Sequence, residues 1–142
     1  MTLALRVLVV DDEMLARARL RTLLAECASP AATVAGEAAH AAQALEWLAA
    51  NRCDVVLLDI HMPGLDGVEL ARRLRTQDDA PAIVFVTAHA EHALQAFELD
   101  AVDYLTKPVR RDRLQAALQR VARRVRPPAA GPSRGGGRAG GA

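Results

Sequence analysis

Aromatic residues are nearly missing from this chain of 142: Trp47, Phe85, Phe97 and Tyr104 are all it has. A core built without them is aliphatic, and no stacking platform for single-stranded nucleic acid can be assembled from so few rings. Cysteine is almost as scarce. Cys27 falls at the end of a predicted helix and Cys53 just before a strand, which excludes a secreted disulfide framework and reads as two small buried hydrophobes. Long apolar runs are absent too. After Arg6 only four apolar residues precede the first acids, too few for a signal-peptide core or a membrane span, so the expected compartment is the cytoplasm with no membrane contact. Lysine is the last scarcity: among 18 basic residues, Lys107 stands alone in a chain that otherwise uses arginine.

Apolar residues make up 51% and charged residues 25%, a globular balance with room for one domain. The net charge of +1 conceals an asymmetry. Every acid lies at or before Asp112, whereas Arg123, Arg124, Arg126, Arg134 and Arg138 close the chain. An acidic folded domain over residues 1–125 is therefore expected, followed by a tail. Residues 126–142 hold only Pro, Ala, Gly, Ser and Arg. Nothing there can offset the entropy of ordering, so the segment reads as a flexible linker.

Five short apolar runs, at 5–10, 33–36 (weak), 55–58, 82–86 and 101–105, alternate with five stretches of helical period. The second and third stripes are Ala41, Ala44, Leu45, Leu48 and then Leu70, Ala71, Leu74; a fourth holds Ala90, Ala93, Leu94 and Phe97. Asp66, three residues before Glu69, resembles a capping box and starts the third helix near 66. Strict alternation predicts an α/β fold, an open parallel sheet with helices on both faces. In such sheets chemistry sits outside the carboxyl ends of the strands. Asp11, Asp12, Asp59, Thr87 and Lys107 all follow strands closely.

Two like charges ~5 Å apart at an effective dielectric of ~20 repel by roughly 3 kcal/mol. Carboxylates gathered at one sheet edge are tolerable where a cation is bound or where the site exists to do chemistry, and hard oxygen ligands on turns suit magnesium. Asp12 and Glu13 also fit the positive end of the first helix as ordinary capping acids. Asp59, before the turn Ile60-His61-Met62-Pro63-Gly64, is placed to act as a carboxylate nucleophile toward phosphorus. Thr87 offers a hydroxyl to a phosphoryl oxygen, or simply caps a helix. Lys107 offers a compact ammonium on a flexible stem. Tyr104 is either a half-buried core residue or a ring whose rotamer reports occupancy. His61, His89 and His92 could ligate zinc, although such sites want further cysteine or carboxylate ligands.

Taken in order and spacing, VLVVDDE, VVLLDIHMPGLDGVEL, IVFVTA and AVDYLTKP resemble the receiver domain of bacterial two-component response regulators. The segment from Phe85 through Pro108 further resembles receivers joined to LytTR-type DNA-binding output domains. The resemblance implies a flavodoxin-like, CheY-like doubly wound sheet of five strands in the order 2-1-3-4-5 with five helices. It implies that Asp59 is the phosphoacceptor, that Asp11, Asp12, Asp59 and the backbone carbonyl of His61 hold Mg2+, and that Lys107 pairs with the phosphoryl group. Thr87 would move to bond that group and Tyr104 would turn inward, with a cis bond before Pro108. His61 and His89 would tune water's access. The implied partner is a sensor histidine kinase. A homodimer would form through the fourth helix, fifth strand and fifth helix, using Glu91, Glu98, Asp100, Asp103, Arg110, Arg111 and Arg113. DNA would be reached only through an output domain not present in this chain. The protein would catalyse only its own phosphorylation and dephosphorylation.

Three other readings compete. A haloacid-dehalogenase-like phosphatase wants a second acid two residues after its nucleophile, where this chain has His61. A flavin or dinucleotide domain wants a Gly- or Ser-rich first turn, where this chain has Asp11-Asp12-Glu13. A degenerate receiver would serve only as an interaction module, against which stand the intact Asp, Thr and Lys positions.

Overall fold

The structure is a computed structural model that describes residues 4–89 and 100–125. Five strands, β1 (Leu5–Val10), β2 (Ala32–Ala38), β3 (Val55–Asp59), β4 (Ala82–Thr87) and β5 (Asp103–Thr106), form one parallel sheet in the order β2-β1-β3-β4-β5. Four helices are present among the described residues: α1 (Met14–Glu26), α2 (Ala41–Ala50), α3 (Gly67–Arg75) and α4 (Arg111–Val125). The last corresponds to the fifth expected helix. The expected fourth, with Ala90 to Phe97, lies outside the described residues, as do His92, Glu91, Glu98 and the tail from 126.

Alternation along each strand sorts the core into two layers. Val7, Val9, Leu57, Val84 and Val86 meet Leu20 and Leu24 of α1 and Leu114, Ala117, Leu118 and Val121 of α4. Leu8, Val10, Val56, Leu58 and Phe85 meet Ala41 and Ala44 of α2 and Leu70 and Leu74 of α3. β3 and β4 are buried on both faces, as is β1 apart from the exposed Arg6, and so they read as nearly continuous apolar runs. β2 is an edge strand with only Ala38 fully buried, which is why its sequence signal is weak and why it runs longer than expected at both ends. Cys27 is buried, whereas Cys53 is only part-buried against the second layer.

Asp66 caps α3 as expected, its carboxylate accepting the Glu69 N–H at 2.9 Å. The Lys107–Pro108 bond is cis, and so is Ser29–Pro30. No helix among the described residues is long and apolar enough to cross a membrane. One expectation needs correction. The dimer face implied by the resemblance includes Asp103 among its exposed charges, but Asp103 is buried at the start of β5. Its carboxylate accepts from Arg113 Nη1 and Nη2 at 2.8 and 2.6 Å, with Arg120 at 3.4 Å. Arginines one and three turns into α4 reach back over the strand and satisfy that acid within the chain.

Candidate functional site

Parallel strands that all run the same way deliver their following residues to one edge, and here that edge is acidic. Asp11 follows β1, Asp59 closes β3 and Thr87 closes β4. One carboxylate oxygen from each of Asp11, Asp12 and Asp59 lies within 4.8 Å of the others. Asp11 and Asp59 are buried at 1% and 5% exposure, while Asp12 faces solvent. Residues separated by some 48 positions in sequence are thereby made neighbours.

Lys107 reaches into this cluster from the loop after β5. Its Nζ donates to Asp11 Oδ2 at 2.8 Å and lies 3.8 Å from Asp59 Oδ2 and 3.6 Å from Glu13 Oε1. Burial alone would lower the ammonium's pKa, but the hydrogen bond to Asp11 and the charges of Asp59, Asp11 and Glu13 outweigh it and hold the value above the ordinary one. Asp59 moves the opposite way from an ordinary paired carboxylate. Burial first, then the charges of Asp11 and Asp12, push its carboxyl up to about 7, against the pull of Lys107 and of the His61 N–H. One ammonium does not neutralise this cluster of carboxylates. The donor set is all oxygen, is short of positive charge and opens to solvent at Asp12, which suits a hard divalent ion that keeps several waters.

Thr87 is fully buried, and its Oγ1 accepts the His89 N–H at 3.2 Å. The Tyr104 hydroxyl donates to the His89 carbonyl, and its ring is part-buried against the second core layer. The His61 and His89 rings meet edge to face, centroids 4.5 Å apart. The strand-end loops of β3 and β4 and the strand β5 are therefore linked around His89. Among the described residues no histidine joins a cluster of three metal-ligating side chains.

Residues 7–119 match the family model of the response regulator receiver domain. The chain belongs to that family. Relatives of this receiver include the positive alginate biosynthesis regulatory protein of Pseudomonas aeruginosa, 43% identical over 91% of this chain and 55% of its own length. The sensory transduction protein LytT of Bacillus anthracis is 46% identical over 82% of this chain and 46% of its own length. The transcriptional regulatory protein LytR of Staphylococcus aureus is 38% identical over 82% and 47%. The receiver thus spans about half the length of the curated relatives it matches. Among solved structures, the response regulatory domain of the Klebsiella pneumoniae protein mrkE superposes with a TM-score of 0.75 at 38% identity, covering 82% of the present chain and 94% of its own. The receiver domain of NarL from Mycobacterium tuberculosis superposes at 0.72 with 33% identity, covering 82% and 94%.

Three contributors to the receiver's site were not singled out from sequence. A Cβ on Gly67 would lie 2.0 Å from the Asp59 carbonyl oxygen, because the Gly67 N–H donates to Ile60 C=O at 2.8 Å and draws α3 onto the strand end. A glycine directly after an N-cap, where a better helix former would normally sit, is the signal that could have revealed it. Arg17 and Arg19 on α1 carried no such signal. They sit among arginines of similar spacing, and only the fold shows which backbone each one reaches.

Proposed function

We propose that this receiver accepts a phosphoryl group on Asp59 from a sensor histidine kinase, with Mg2+, and switches a face that governs an output domain. The observation that carries the proposal is the convergence of Asp11, Asp12 and Asp59 within 4.8 Å beside the ammonium of Lys107. Asp11, Asp12, Asp59 and the carbonyl of His61 would hold the ion. When bound, magnesium supplies neutralisation of the transferring phosphoryl oxygens.

An oxygen of Asp59 attacks phosphorus in line. The bond from phosphorus to the kinase imidazole nitrogen breaks as the new P–O bond forms, and the nitrogen keeps the electron pair. Lys107, already bridging Asp11 and Asp59, moves its ammonium onto a phosphoryl oxygen. Thr87 donates a hydrogen bond from its hydroxyl to a second oxygen. The product adds roughly −1.5 to −2 charges at one strand end, and the differential contacts of Thr87 and Lys107 shift the equilibrium between two arrangements of Tyr104. The chain acts as a catalyst only on its own phosphorylation and dephosphorylation. In this reading the protein is cytoplasmic, residues 126–142 form a linker, and DNA is contacted only by an output domain, as the name of the relative LytR favours.

Incubation of the chain with Mg2+ and acetyl phosphate or phosphoramidate tests the central step. The expected result is one phosphoryl adduct per chain, acid-stable and base-labile, mapping to Asp59 and absent from Asp59→Asn. Mg2+ binding without any adduct would overturn the proposal in favour of an interaction module. Multiple turnover of phosphate esters would overturn it in favour of a phosphatase.

A further inference from the structure

The helix that follows the paired acids places arginines at 17, 19 and 21. Arg19 Nη2 donates to the Val109 carbonyl at 2.9 Å, tying α1 to the loop that carries Lys107. Arg17 is tied closer to the acids. Its Nη1 donates to the Asp11 carbonyl at 2.7 Å while its Nε donates to Glu37 Oε1 at 3.2 Å. Arg21 holds the same Glu37 carboxylate through both oxygens, at 2.9 and 2.7 Å. Glu37 sits on the edge strand β2, so the guanidinium of Arg17 spans from the sheet edge to the turn between β1 and α1.

The Asp11 carbonyl belongs to the peptide plane joining Asp11 to Asp12. It lies one residue past the end of β1, and its hydrogen bond comes from Arg17. The other polar atoms of Asp11 are also engaged: its N–H donates to Ala38 C=O at 3.1 Å, Oδ1 accepts the Glu13 N–H at 2.9 Å, and Oδ2 accepts Lys107. Loss of that hydrogen bond would free the turn joining Asp11 to Asp12, and a shift of the turn would carry the Asp12 side chain away from the cluster. The ion-pair partner of Arg17 is Glu37, whose single carboxylate is shared with Arg21.

We propose that Arg17, steadied by Glu37 and Arg21, is a positioning residue for the divalent cation: it fixes the peptide plane that aims Asp11 and Asp12 at one point. This rests on the reading of the acidic cluster as a Mg2+ site. The sign of the effect separates positioning from simple electrostatics. A cation beside a cation site repels the incoming ion, so removing Arg17 on charge grounds alone would tighten Mg2+ binding. Removing it as a positioner weakens binding, and outer-sphere partners of metal ligands typically change affinity by about 10- to 100-fold.

Calorimetric titration of the 142-residue chain with MgCl2 tests this, beside thermal unfolding without Mg2+. Arg17→Ala is expected to raise the Mg2+ Kd about 10-fold. Arg17→Lys should fall between it and the wild type, because one ammonium cannot serve both the carbonyl and Glu37 in a fork. Glu37→Gln, which keeps both arginines, should weaken binding in the same direction by less. Arg72→Ala, an equal change of charge on α3, should leave the Kd unchanged. In phosphorylation by phosphoramidate, Arg17→Ala should need about 10-fold more Mg2+ for half-maximal rate, with the rate at saturating Mg2+ nearly restored. Unchanged or tighter binding by folded Arg17→Ala and Glu37→Gln would overturn the proposal alone. A wild-type chain indifferent to Mg2+ would overturn it together with the site reading beneath it.

Discussion

Between its ordinary value and about 7, folded Asp59 holds a proton that the unfolded chain has released. The native state then binds more protons than the unfolded one, so stability falls as pH rises through that window. Each pKa unit corresponds to about 1.4 kcal/mol, which puts the cost of ionising Asp59 near pH 8 at no more than about 4 kcal/mol. Asp59→Asn removes that cost. In Mg2+-free buffer its urea midpoint should exceed the wild type's at pH 8, with the advantage shrinking toward zero by pH 4. Mg2+ should raise the wild-type midpoint at pH 8 and raise the variant's far less. A variant less stable than the wild type at pH 8, measured without Mg2+, would remove the assignment of Asp59 as a strained carboxylate. The acid that the proposed chemistry needs is the acid that burial penalises, and Lys107 relieves the strain only in part.

At the scale of elements, the site depends on how closely α3 approaches β3. Gly67 allows that approach and Asp66 starts the helix there. Gly67→Ala forces a methyl group against the Asp59 carbonyl, an overpacking that typically costs about 1–3 kcal/mol. Because the colliding atom is the Asp59 backbone itself, relief must move Asp59. Gly67→Ala should therefore lower both the thermal midpoint and the rate of adduct formation. Asp66→Ala, which removes a cap worth about 1 kcal/mol, should lower the midpoint with little effect on the rate per folded molecule. Equal rate losses in both variants would show that α3 acts on the site only through stability. The sequence announced the cap through the spacing of Asp66 and Glu69, and it announced β1, β3 and β4 through apolar runs that are continuous or, in β1, broken only by Arg6. β2 was faint because an edge strand need not be apolar on both faces. Asp103 was misassigned because sequence shows a charge without showing which arginine folds over it.

For the whole molecule, the two core layers hold the sheet from both sides, and the pairing of Asp103 with Arg113 and Arg120 ties α4 to β5. Arg110 and Arg111 remain exposed beside Asp112, and Asp100 pairs with Arg124 at 3.3 Å near the solvent. A dimer through this face would exchange such exposed pairs between copies and leave the buried Asp103 pair within each chain. Sedimentation with beryllium fluoride and Mg2+ should then show a doubling of mass that Arg110→Glu with Arg111→Glu suppresses. No mass change in the wild-type chain would end the dimer proposal while leaving Asp59 chemistry untouched.

Alternation of apolar runs with helical stripes was enough to determine a parallel doubly wound sheet, because burial on both faces and crossover geometry leave few other ways to hide those residues. The identities of Asp11, Asp12, Asp59, Thr87 and Lys107 as strand-end residues followed from the same pattern. Only the tertiary structure decided how near they come, that Lys107 bridges Asp11 and Asp59, that Gly67 seats α3 on the Asp59 carbonyl, and that Arg17 reaches the peptide plane between the paired acids. Those are distances between residues remote in sequence, set by how helices pack on a twisted sheet, and no local pattern of residue types encodes them.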